Sequence, residues 1–183
     1  METLIPILCQ KYNVRSELIS LLLSHMEKKY FSDHEIVMGQ HERKQCYYII
    51  NEGVWRGYRV FDGDERTLWF ERYGDILYSE ASDDYIIESL SESSAYVISK
   101  AELDALCQES HEISNLVRTI LEKYYFQITE WLVWLCQPTA KARYLTILEK
   151  DPEVFQLVPQ KYIASCLGMT PQSLSRIRRQ LVK

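Results

Sequence analysis

Long apolar runs are missing from this chain of 183 residues. Nothing in it approaches the ~20 consecutive apolar residues that cross a bilayer, so no membrane span is expected. The opening stretch METLIPILCQKYNVRSELISLLL has no basic leader and no small-residue cleavage site, which excludes an export signal and makes a cytoplasmic location the expectation. Paired cysteines are missing too. Cys9, Cys46, Cys107, Cys136 and Cys166 are odd in number, scattered and without a CxxC, the pattern of reduced thiols and not of a disulfide framework or a zinc or iron-sulfur site. The four histidines are dispersed, and His34 and His41 stand too far apart for an HxH ligand pair. No metal and no cofactor is expected.

Positive charge is also scarce, with a net charge of −5, which taken alone argues against a nucleic-acid partner. Its distribution reverses the argument. From Thr139 to Lys183 eight basic residues stand against three acidic ones, which leaves the rest of the chain at −10. Screening confines such fields to ~8 Å at physiological salt. A basic terminal segment on an acidic body therefore presents phosphate with one attractive surface.

That segment holds VPQKYIASCLGMTPQSLSRIRRQLVK, which reads as two short helices joined by a glycine turn. Gly168 supplies the left-handed residue that ends the first helix, Lys161 to Leu167. Thr170 is placed to cap the second, and Pro171 suits its first position because the missing N–H would be unpaired there. Ile163, Ala164, Leu167, Leu174 and Ile177 are spaced to face one small core, as in a DNA reader or an inert helical hairpin. The outward residues Gln172, Ser173, Ser175, Arg176 and Arg179 favour the reader, since Gln and Arg make paired hydrogen bonds to adenine and guanine edges.

Upstream, Glu2 to Lys28 reads as helical, with Leu18, Ile19, Leu21, Leu22 and Met26 on one face. From Tyr30 to Ser99 the chain turns rich in Tyr, Val, Ile, Trp and Phe, broken by turn signals at Asn51-Glu52-Gly53, Asp62-Gly63-Asp64 and Tyr73-Gly74-Asp75. The strand candidates are Ile36–Met38, Tyr47–Ile50, Val54–Phe61, Thr67–Tyr73, Ile76–Tyr78, Tyr85–Leu90 and Ala95–Ile98, which implies an antiparallel barrel or sandwich. Arg56 breaks the alternation between Val54 and Tyr58. AELDALC after Lys100 forms a short helix, and Ser110 caps a long one to about Cys136. In that helix Val117, Leu121, Tyr124, Ile128, Trp131 and Leu135 follow the spacing of a coiled-coil seam, while Leu116, Ile120 and Leu132 are free to lie against the barrel. Two apolar faces on a helix of ~40 Å favour a parallel homodimer. Thr139 caps a further helix, and Asp151 to Pro159 reads as a turn with a short extended stretch.

In this order the elements resemble the Crp-Fnr superfamily of bacterial transcription regulators. The residues that carry the resemblance are YYIINEGVWRGY (47–58), the YGD turn (73–75), SAYVISKAELDAL (94–106) and YIASCLGMTPQSLSRIRRQ (162–180). It implies an α+β chain: a double-stranded β-helix (jelly-roll) sensor barrel, a dimerisation helix and a C-terminal winged-helix-like helix-turn-helix, with boundaries at 1–109, 110–137 and 138–183. It implies double-stranded DNA with a palindromic site as partner, a second copy of the chain, and RNA polymerase. By the resemblance Gln172 and Arg176 fall where bases are usually touched, whereas Pro171 replaces a residue that often does so, which points to a different target sequence. Lys161, Thr170, Ser173, Ser175, Arg178 and Arg179 complete the expected DNA-binding set.

One family feature is absent. Cyclic-AMP binders carry a Gly-Glu pair, a short helix and an Arg-Ser/Thr-Ala run, where this chain has GDILYSEASDDYIIESLSES. Between Glu71 and Ser93 the one base is Arg72, against Glu71, Asp75, Glu80, Asp83, Asp84, Glu88 and Glu92. A phosphate there would meet like charge, so no cyclic-nucleotide response is expected. Trp55, Trp69, Phe70, Tyr78 and Tyr96 could line a pocket for an apolar or aromatic effector or serve as core. Two other readings stay open: a cupin-like small-molecule-binding protein or enzyme, which needs a His/Glu set not seen at ligand spacing, and a protein-interaction adaptor that has kept the fold.

Overall fold

The computed structural model describes residues 3–39, 44–79 and 85–181, the last without its side chain. Glu2, His41, Glu80, Asp83, Asp84 and Lys183, which entered the sequence argument, lie outside the described residues.

The N-terminal apolar stretch forms two helices, α1 (Leu4–Tyr12) and α2 (Ser16–Ser24), where one run to Lys28 was expected. Asn13 breaks it by taking a left-handed φ of 53°, a conformation its short polar side chain tolerates. After His25 and Met26 the chain forms strand β1 (Glu27–Phe31), which the expectation missed. β1 is an edge strand with mostly exposed, charged positions, so no apolar alternation announces it.

Seven further strands follow: β2 (Ile36–Met38), β3 (Cys46–Glu52), β4 (Val54–Phe61), β5 (Asp64–Arg72), β6 (Ile76–Ser79), β7 (Ile86–Ser89) and β8 (Ser93–Ser99). They build two four-stranded antiparallel sheets, in the orders β1-β8-β3-β6 and β2-β7-β4-β5, and not a closed barrel. Asp62 and Gly63, at φ 52° and 86°, make the two-residue turn between β4 and β5 that such a hairpin demands. Tyr48, Ile50, Trp55, Leu77, Ile87 and Val97 from both sheets fill the space between them. The opposite face of the first sheet packs through Ile49, Tyr96 and Ile98 on α1, α2, α3 (Lys100–Glu109) and the start of α4 (His111–Leu135).

The remaining helices are α5 (Ala140–Lys150), α6 (Val154–Leu157), α7 (Gln160–Leu167) and α8 (Pro171–Leu181). The extended stretch expected before α7 is instead the turn of helix α6, which buries Val154 in the core of this unit. Among the described residues every element after Ser99 is helical, so the winged part of the expectation is not met. No described helix is long and apolar enough to cross a membrane.

Candidate nucleic-acid interface

Local hydrogen bonding builds the helix pair α7–α8. Gly168 takes φ 69°, and its N–H and that of Met169 fold back onto the carbonyls of Ser165 and Ala164, closing α7. Two residues on, Thr170 Oγ1 accepts the Ser173 N–H at 3.2 Å and starts α8, with Pro171 at its first position. Leu174, wholly buried, pins α8 against Ile163, Ala164 and Leu167 of α7, with Ile177 beside it.

With Leu174 inward, Gln172, Arg176 and Arg179 are exposed, and their spacing of four and three puts them on one stripe of α8. Arg179 Nη2 also reaches Ser175 Oγ at 3.4 Å. Ser173, Ser175 and Arg178 are half-buried, and the Ser173 hydroxyl is engaged with Thr170 Oγ1 at 3.1 Å. Lys161 is exposed at the start of α7, its Nζ 4.5 Å from the centre of the Tyr162 ring. Gln172, Arg176 and Arg179 thus form a polar, cationic stripe, and neither α7 nor α8 carries an acidic residue.

The helix pair is seated on the strand roll by α7. β5 is an edge strand, and an edge leaves backbone groups in need of partners. Ser165 Oγ accepts the Thr67 N–H at 3.0 Å and donates to the Glu65 carbonyl at 3.1 Å, and the Cys166 thiol points at the Leu68 carbonyl. Burial pushes the Cys166 thiol up to about 12. Beside this contact lies the position that broke the strand alternation. The Arg56 guanidinium is 3% exposed, bonded to Glu88 at 2.7 Å and Glu65 at 2.5 Å, and held between the rings of Tyr58 (4.1 Å) and Tyr162 of α7 (3.9 Å). His34 Nδ1 meets the other Glu88 oxygen at 2.6 Å. Sequence reasoning saw the anomaly at Arg56 but had no means to pair it with Tyr162.

The five aromatic residues considered for an effector pocket do not converge on one cavity. Trp55 is wholly buried between the sheets, where its indole N–H donates to Ser93 Oγ at 2.9 Å. Tyr96 fills the separate core under α1–α4, and Tyr78 stacks on Tyr47 with 4.6 Å between centres. Trp69 and Phe70 instead edge a cleft of about 280 Å³ between β5, α4 and α5, with Trp131 and Trp134 opposite.

The six residues read as a seam divide between two faces of α4. Val117 and Tyr124 turn inward, with one side of Leu121, over a small apolar cavity of about 40 Å³ lined by Tyr47, Ile49 and Tyr78, and Trp131 faces the cleft. Leu121, Ile128 and Leu135 are exposed, and Tyr125 (68% exposed) and Leu132 (51% exposed) complete their stripe. Leu132 therefore does not lie against the roll, whereas Leu116 and Ile120 do.

No protein-family model and no curated protein sequence matches the chain. Solved structures do. The chain is similar to a cyclic nucleotide-binding domain containing protein from Listeria monocytogenes, at 17% identity over 90% of each chain with a TM-score of 0.71. It is similar to FixK2 from Bradyrhizobium japonicum, at 20% identity over 85% of this chain and 84% of that one, TM-score 0.69. It is similar also to the c-di-GMP responsive global regulator CLP of Xanthomonas campestris, at 18% identity over 91% of each chain, TM-score 0.67. At these identities the likeness is one of fold, and it extends over most of the chain.

Proposed function

We propose that this chain, which has the fold of the Crp-Fnr regulators, is a sequence-specific DNA-binding regulator that works as a homodimer. One observation carries the reading: Gln172, Arg176 and Arg179 on a single exposed stripe of a capped helix that Leu174 holds against α7. A helix so presented fits the major groove, with Gln172 and Arg176 toward base edges. Arg179, Arg178, Ser175 and Lys161 lie toward the backbone, and Thr170 and Ser173 hold the helix start, where N–H groups favour a phosphate. The exposed stripe of α4 is an apolar patch of the kind that covers itself by association, and a second copy set against it would space two α8 helices by ~34 Å along a palindromic site. RNA polymerase is the partner such a bound regulator would address.

No cyclic nucleotide enters this reading, although CLP is c-di-GMP responsive. Arg72, the one base from Glu71 to Ser93, is already paired with Asp151 at 2.7 Å and Glu153 at 3.6 Å. Nothing in the proposal asks for catalysis, a cofactor or a named effector.

Selection of bound duplexes from a random pool tests the function and yields a palindromic consensus if it is right. On that consensus Arg176→Ala loses about 1–3 kcal/mol of discrimination at one base pair, while Arg179→Ala weakens all sequences alike. Equal losses on consensus and random DNA for both variants would reject the assignment. Micromolar binding of cyclic AMP or cyclic GMP by calorimetry would reject the absence of a nucleotide switch.

A further inference from the structure

Arg143 counts, by sequence, among the basic residues of the DNA-binding segment. Its side chain is spent elsewhere. From the first turn of α5 it donates through Nη1 to the Gln137 carbonyl at 3.0 Å and through Nη2 to the Leu167 carbonyl at 2.9 Å. Gln137 stands just beyond the end of α4, and Leu167 is the last residue of α7, at the turn that sets the entry of α8. The last carbonyls of a helix have no intrahelical donor and form the negative end of its dipole. One planar guanidinium serves the last carbonyl of α7 and, at the same time, the Gln137 carbonyl just past α4, and no carboxylate is bonded to it among the described residues. Two further bonds lock the same corner: the Trp134 indole N–H donates to the Arg143 carbonyl at 3.0 Å, and the Gln137 amide donates to Thr146 Oγ1 at 2.8 Å.

We infer that Arg143 is a positioning residue for DNA reading: it fixes the end of the long helix α4 to the turn of α7–α8, and so sets the angle and separation of the two recognition helices of a dimer. Arg143 makes no phosphate contact. This rests on the dimeric DNA-reading function proposed above. A guanidinium is required because its rigid fork reaches two carbonyls at once, whereas an ammonium is a point charge.

The test uses the full chain and the variants Arg143→Gln and Arg143→Lys. Hydrogen–deuterium exchange without DNA is expected to quicken in Arg143→Gln at two separated places, 135–139 and 167–170, while β3 and β8 keep their protection. Unchanged exchange at either place overturns the inference. Binding is then compared on the palindrome, on the palindrome with its spacer lengthened by a few base pairs, and on a single half-site. Discrimination between the two spacings is expected to fall by about tenfold in Arg143→Gln, with half-site affinity kept and Arg143→Lys in between. Parallel loss on half-site and random duplex, with the salt slope reduced by about one, would make Arg143 a phosphate contact and overturn the inference. A wild-type chain that binds no duplex would reject the proposed function itself, and the exchange result then decides the tie between α4 and α7 unaided.

Discussion

Arg56 shows how one side chain acquires its meaning from partners far along the chain. In an alternating strand its position calls for an apolar residue, and here it is filled by a buried cation whose carboxylates come from β5 and β7 and whose second ring comes from α7. Such a pair gains little over an apolar replacement of both partners, but loss of one partner strands the other charge. Arg56→Met is accordingly expected to cost about 3–5 kcal/mol in urea unfolding, because Glu88 stays buried with the His34 ring in place of the guanidinium as its partner. The double variant Arg56→Met/Glu88→Leu should recover much of that loss. A double variant no more stable than Arg56→Met would mean that the guanidinium acts through its packing on Tyr58 and Tyr162 and not through its charge.

The long helix α4 poses a question of phase. Its heptad pattern is plain in the chain, yet the apolar residues occupy adjoining rows, and periodicity does not say which row turns inward. The roll takes Val117, Tyr124 and one side of Leu121, and the cleft takes Trp131, which leaves the outer side of Leu121 with Tyr125, Ile128, Leu132 and Leu135 as an exposed apolar row. On the proposed homodimer, Leu132→Glu should dissociate the chain to monomers in sedimentation velocity at micromolar concentration, a loss of several kcal/mol from a charge set in each half of the interface. Trp131→Ala should leave the dimer intact and disturb the cleft instead. Monomers from Trp131→Ala and dimers from Leu132→Glu would restore the seam as the spacing drew it. The caps behave differently, because Ser110, Thr139 and Thr170 each bond within three residues and stand where the sequence put them, while the Ser99 cap of α3, equally local, went unread.

Stability against pH belongs to the assembled chain, since the group concerned joins the roll to the helices. Glu71 is half-buried at the end of β5, and withdrawal from water, then the neighbouring Asp75 charge, raise its carboxyl well above the ordinary range, with Lys11 of α1 opposing. Asp75 itself takes Lys11 at 2.5 Å. Burial, and after it the Glu71 charge, pushes the Tyr124 phenol of α4 up to about 12. A carboxyl raised on folding contributes stability that is present below the unfolded value and lost as pH rises through the folded one. Melting temperature should therefore fall as pH climbs from the ordinary carboxylate range through the raised value, and Glu71→Gln should flatten that slope. An unchanged slope in Glu71→Gln would place the retained proton elsewhere. The sequence by itself determined the strands from β2 to β8, the caps at Ser110, Thr139 and Thr170, the hairpin turn at Asp62-Gly63 and the anchored stripe of α8, because each is set by hydrogen bonds and spacing within a few residues. Packing alone decided the partners of Arg56, the inward row of α4, the scattering of the five aromatics and the engagement of Arg143 with the Gln137 and Leu167 carbonyls. Those outcomes depend on contacts such as Arg56 with Tyr162 and Arg143 with Leu167, between segments whose approach no local pattern encodes.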